Sequence, residues 1–193
     1  MREIVLDTET TGFEPGEGHR IVEIGAVELF NHLPTGKTYH QYINPERGMP
    51  REAFEVHGIG HDILELPGQP VPGGVTLRDK PVFARIGQAF LDFVGEAQLV
   101  IHNAAFDLGF LRPALEGLGY RLENPVVDSL RLARRGLPGL RRYGLDALSE
   151  VLELPRRTCH RALEDVERTL AVVHEVYYML TSGRPRTLWE LGR

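Results

Sequence analysis

Only one cysteine, Cys159, occurs in the 193 residues, so no internal disulfide and no cysteine-built zinc cage can form. Its neighbour His160 raises the idea of a Cys–His nucleophile, but no oxyanion or orienting motif accompanies the pair. Long apolar runs are also missing. Nothing approaches the roughly 20 residues that span a bilayer, which excludes a membrane-spanning helix. No secretory or transit pattern precedes the first strand, so a cytoplasmic location is expected. Lysine is nearly absent: Lys37 and Lys80 are the only two among 22 basic residues. Repeats, low-complexity tracts and inter-domain linkers are lacking too. A net charge of −5 excludes a uniformly basic nucleic-acid binder.

An apolar fraction of 42% and a charged fraction of 25% fit one soluble globular domain, long enough for a substantial core. The charge is unevenly spread. Residues 97–193 hold 14 bases against 12 acids, whereas residues 1–96 hold 8 against 15. Arg131, Arg134, Arg135, Arg141 and Arg142 crowd a twelve-residue stretch, which can follow a phosphate backbone or simply form a solvated face.

The run Ile4-Val5-Leu6-Asp7-Thr8-Glu9-Thr10-Thr11-Gly12 reads as a buried strand leaving through a turn. Strand side chains alternate, so Asp7 and Glu9 share a face. Adjacent carboxylates repel unless a cation sits between them, and hard divalent ions favour carboxylate oxygen. Arg20–Leu29 and Lys37–Ile43 continue as strands, with Asn31 to Gly36 as the turn between them, giving an antiparallel meander. Gly36-Lys37-Thr38 mimics the end of a phosphate loop, but Asn31 stands where the first glycine is required.

Two short helices are expected at Pro50–Val56 and Gly60–Leu66, and a longer one over Pro81–Gly95. Leu99–His102 and Val126–Val127 make the fourth and fifth strands. Further helices are read over Ala104–Leu118, 129–135, Leu145–Leu152 and Arg161 to about Leu180. Tight connections among the first three strands forbid crossovers. The expectation is therefore an α/β fold with a central mixed five-stranded sheet and helices on both faces.

Two further acids stand at helix starts. Asp107 lies in the first turn after strand 4, where an acid also stabilises a helix dipole, with Asn103 placed as N-cap. Asp165 borders the apolar stripe of the last helix, where a carboxylate needs a partner, and His160 precedes it by five residues. Each has an ordinary structural reading when taken alone.

Taken together, Asp-x-Glu (7–9), Asn-x-x-Phe-Asp (103–107) and His-x₄-Asp (160–165) resemble the motifs of the DEDDh (DnaQ-like) 3′–5′ exonucleases, most nearly their proofreading ε branch. Ile-Val-Glu-Ile-Gly-Ala-Val-Glu (21–28), Val-His-Gly-Ile (56–59), Val-Val-Asp-Ser-Leu (126–130) and Leu-Asp-Ala-Leu (145–148) extend the resemblance over roughly residues 3–180. The resemblance implies a ribonuclease H-like exonuclease domain over 1–182, with a short C-terminal tail at 183–193. It implies two divalent metal ions, Mg²⁺ or Mn²⁺, held by Asp7, Glu9, Asp107 and Asp165, with His160 as general base. Asp7 would bridge the ions. Thr10, Val56 and His57 match positions around the terminal nucleotide, although turn residue, core valine and surface histidine are their plain readings.

Single-stranded DNA 3′ ends and a replicative DNA polymerase catalytic subunit are the implied partners. A stand-alone repair exonuclease, an RNA exonuclease of the oligoribonuclease or RNase T kind, and a non-catalytic binding module stay open as alternatives. Two departures stand out: Pro67–Arg78 looks inserted and reads as an elaborated surface loop, and the tail carrying Trp189 is short.

Overall fold

The computed structural model describes residues 1–65, 74–154 and 161–181. His160, the residues 67–73 of the expected insertion, and the tail with Trp189 lie outside the described residues.

Five strands form one mixed sheet in the order β3-β2-β1-β4-β5. β1 (Arg2–Thr10) is antiparallel to β2 (Ile21–Phe30), which is antiparallel to β3 (Leu33–Tyr42); β1 is parallel to β4 (Gln98–Ile101), and β4 to β5 (Val126–Asp128). The β2–β3 turn is tighter than the sequence reading. Asn31 and His32 alone make it, with φ of 51° and 68°, and β3 begins at once at Leu33. Two left-handed residues match the twist of a two-residue hairpin, and Asn tolerates that conformation well.

Alternation along β1 sorts the helices. Ile4 and Leu6 point into a core with α2 (Phe83–Val94) and α3 (Ala104–Glu116) through Ile86, Phe90, Val94, Phe110, Leu111 and Leu115. Val5 points the other way, into a core with α4 (Ser129–Gly136), α5 (Leu145–Val151) and α6 (Ala162–Thr181). Each fully buried aliphatic side chain contributes about 1.5–3 kcal/mol, so a one-residue slip of β1 would invert both cores at heavy cost. The same parity therefore fixes Asp7 and Glu9 on the α6 side and Thr8 on the α3 side.

α1 (Arg51–His57) forms as expected, but the second short helix is only a 3-10 turn at His61–Ile63. Gly60 enters it left-handed at φ 82°, and no side chain caps it. The expected surface loop is anchored at its far end. Val75 accepts a bond from the Gly60 N–H, the Asp62 carboxylate takes the N–H groups of Leu77 and Arg78, and Leu77 is fully buried beside Val22, Met49 and Ile59. No helix among the described residues is long and apolar enough to cross a membrane.

Candidate active site

The parallel strands β1 and β4 end at the same edge of the sheet, where an open α/β sheet places its ligands. Asp7 and Glu9 leave β1 there. α6 crosses β1 and β2 with its first turn above them, and the oxygens of Asp7, Glu9 and Asp165 lie within 4.8 Å of one another. Asp165 is buried; Asp7 and Glu9 keep an open side.

Glycine permits this approach. Gly25, the β2 partner of Asp7, sits so close under the start of α6 that a Cβ would stand 2.5 Å from the Ala162 carbonyl carbon and the Leu163 nitrogen. Glu23, the partner of Glu9, fixes the helix from below. Its buried carboxylate accepts the Ala162 N–H at 3.1 Å and pairs with His40 at 2.6 Å and Arg161 at 3.5 Å. An anionic acceptor at the first turn also suits the helix dipole.

Asp107 reaches the site from the opposite face of the sheet. Its Oδ1 accepts from the backbone N–H of Thr8 at 2.9 Å and from the Thr8 hydroxyl at 2.8 Å. Burial pushes the Asp107 carboxyl up to about 7, while the Thr8 bonds pull it down. Asp7 is also held well above the ordinary carboxylate range. Burial is the main cause, followed by the charges of Asp107, Glu9, Asp165 and Glu23. Asp7, crowded by the charges of the other acids, sits in a donor set whose repulsion a divalent cation would relieve.

Some neighbouring residues depart from the sequence reading, and others match it. Asn103 takes the N-cap position of α3 but does not cap it; its backbone is left-handed at φ 63° and its N–H donates to Asp128. Asp128 instead caps α4 through the Leu130 N–H. His102 spends both ring nitrogens internally, on the Ser129 hydroxyl and the Tyr143 carbonyl. His57 is not a surface residue: it is 2% exposed, takes the Ile59 N–H on Nδ1 and meets the Thr10 carbonyl at 3.2 Å through Nε2. Val56 is not a core valine, being 46% exposed. Thr10 donates its hydroxyl to the Gly12 carbonyl, as a turn residue does.

Sequence reading overlooked Thr8, Glu23, Gly25 and Arg168. Thr8 and Glu23 differ in no visible way from other strand residues. Gly25 was the available signal, an unbranched position inside an apolar strand that marks close backbone approach. Phe13 was overlooked as well. It is 79% exposed and stands edge-on to Phe106, one residue before Asp107.

A family model described as exonuclease matches residues 4–69 and 74–173. The chain belongs to the exonuclease family. Among curated relatives of this exonuclease, the DNA polymerase III subunit epsilon of Rickettsia prowazekii (strain Madrid E) is 45% identical over 97% of this chain and 77% of its own length. The subunit of the same name from Escherichia coli (strain K12) is 41% identical over 95% and 72%. Among solved structures, exonuclease X in complex with 5′ overhanging duplex DNA superposes with a TM-score of 0.70 at 26% identity, covering 98% of this chain and 97% of that one. The zinc-bound E. coli ExoI–ssDNA complex reaches 0.75 at 18% identity over 42% of its chain, a likeness of fold. The exonuclease thus has the ribonuclease H-like α/β architecture, and exonucleases of this kind use divalent metal ions.

Proposed function

We propose that this exonuclease removes nucleotides from DNA 3′ ends, chiefly single-stranded ones, through a two-metal site built from Asp7, Glu9, Asp107 and Asp165, with His160 as general base. The convergence of the Asp7, Glu9 and Asp165 oxygens within 4.8 Å carries this reading. Two Mg²⁺ or Mn²⁺ ions bound there would offset the charge that builds on the phosphate and on the attacking and leaving oxygens.

The chain's own residues supply the rest. Asp7, central among the acids, would be shared by the two ions. Glu9 and Asp165 would help to hold one of them. Asp107, already engaged by Thr8, would support the other. His160 takes a proton from the attacking water, a role that imidazole side chains fill near neutral pH. The 3′ bridging oxygen of the upstream nucleotide leaves, and a 5′-nucleotide is released.

Thr10, Val56 and His57 border the terminal nucleotide. Exposed Val56 offers an apolar wall, while His57 and Thr10 tie the end of α1 to the end of β1. Exposed Phe13 adds a stacking face for a base. Since the curated relatives named above are polymerase III epsilon subunits, the activity fits proofreading beside a replicative polymerase catalytic subunit in the cytoplasm.

The test uses pure protein with Mg²⁺, Mn²⁺ or EDTA and 5′-labelled single-stranded DNA, duplex DNA and RNA of matched sequence. Shortening of the single-stranded DNA from its 3′ end, abolished by EDTA, is expected. Trimming of RNA alone would replace this reading with the RNA exonuclease one. His160→Ala should lower kcat by about 10²–10⁴-fold while nucleic-acid affinity holds; full turnover in that variant removes His160 from the base role.

A further inference from the structure

The buried face of α6 includes Asp165, Val166, Arg168, Val172, Val173 and Val176. Arg168 is out of character there. Its side chain is 7% exposed, at a position where a methionine or leucine would pack without the penalty of burying a cation. Its guanidinium donates to acceptors on two helices. Nε donates to the Ser149 hydroxyl at 3.2 Å, Nη2 to Asp146 Oδ1 at 2.5 Å and Nη1 to Asp165 Oδ1 at 2.8 Å. Ser149 and Asp146 belong to α5, so the guanidinium is fixed from a second helix before it meets Asp165.

We infer that Arg168 is a positioning residue for the metal site, holding the Asp165 carboxylate in the orientation that the Asp7–Glu9–Asp165 cluster requires. The inference rests on the proposed reading of Asp165 as a metal ligand. An aspartate on a helix has two free torsions, and three mutually repelling carboxylates would otherwise turn apart. The planar guanidinium fixes the carboxylate plane, and its own charge offsets part of that repulsion. Asp165 and Arg168, three residues apart, lie on one helix face, where such a pair meets directly. α5 thereby becomes the support of the ligand through Asp146 and Ser149.

The experiment is calorimetric titration of the metal-free full chain with Mn²⁺, run beside thermal denaturation. Arg168→Met should melt within a few degrees of wild type yet bind Mn²⁺ about tenfold more weakly, in the range seen when support of a ligand is lost. Arg168→Lys, which restores charge without the fork, should recover only part of the affinity. The double variant Asp146→Asn/Ser149→Ala loosens the guanidinium without emptying a buried position, and should weaken Mn²⁺ by a smaller factor. Wild-type Mn²⁺ affinity in folded Arg168→Met, or in the double variant should Arg168→Met fail to fold, overturns the inference. Asp165→Asn separates the two claims. If it loses Mn²⁺ while Arg168→Met does not, only the positioning role falls; if it binds Mn²⁺ normally, the ligand reading falls and takes the positioning role with it.

Discussion

Asp7 is the central ligand of the proposed site, and its environment has a measurable consequence. The carboxyl is held above its ordinary value of 3.8 by burial and by four neighbouring acids. Below that ordinary value both folded and unfolded chains hold the proton, and the group is neutral to folding. As pH rises through and past it, the unfolded chain releases a proton that the folded chain retains, so metal-free stability falls. Asp7→Asn should therefore raise the Tm of the metal-free protein at pH 7.5 by a few degrees, leave it unchanged near pH 3.5, and abolish cleavage. Differential scanning calorimetry in EDTA at the two pH values checks this; a lower Tm at pH 7.5 would contradict it. Parity along a strand was enough to pair Asp7 with Glu9 from the sequence. Arg168 and Glu23 were invisible because their roles depend on partners 19–22 and 139 residues away in the chain.

At the scale of elements, the start of α6 is the critical placement. It rests on Gly25 and is held by the Glu23 carboxylate, so the position of Asp165 depends on a residue with no side chain. Gly25→Ala should push the helix away from β1 by more than the few tenths of an ångström that packing absorbs, because the obstructing atoms are backbone. The expected result is a destabilisation of about 1–3 kcal/mol, as for other overpacked sites, with a disproportionate loss of Mn²⁺ affinity. Urea unfolding paired with Mn²⁺ titration reads both. Periodicity located α2, α3 and α6 from sequence because each has a continuous apolar stripe. It overextended Gly60–Leu66, where the apolar residues pack into a small cluster through a 3-10 turn rather than along a helix face. The N-cap expected of Asn103 failed for a related reason. The β4–α3 connection is so short that its backbone turns left-handed, which aims the side chain elsewhere.

At the scale of the whole molecule, a run of arginines lies outside the acidic cluster's own contacts. Arg131, Arg134, Arg135, Arg141 and Arg142 are all exposed on and after α4, and Arg134 lies over the Tyr143 ring at 5.6 Å. If they guide the upstream strand, reversing three of them to Glu should weaken single-stranded DNA binding and flatten the slope of affinity against salt by roughly one unit per lost phosphate contact. Fluorescence anisotropy over a salt series would show it, and an unchanged slope would mark a merely solvated face. The layer order was legible because β1, β4 and β5 alternate or run fully apolar in ways that demand cover on both sides. What covers each face was not, since helices joined to a sheet by short loops can fall on either side until the packing decides.

The acids of the cluster are numbered 7, 9, 107 and 165, and they converge only after helices from both faces have docked. A ribosome must therefore pass residue 165 before the last of them exists. If the cluster is the cleavage site, as proposed, the nascent polypeptide is harmless to nucleic acid throughout that interval, and the order of synthesis acts as a safety catch.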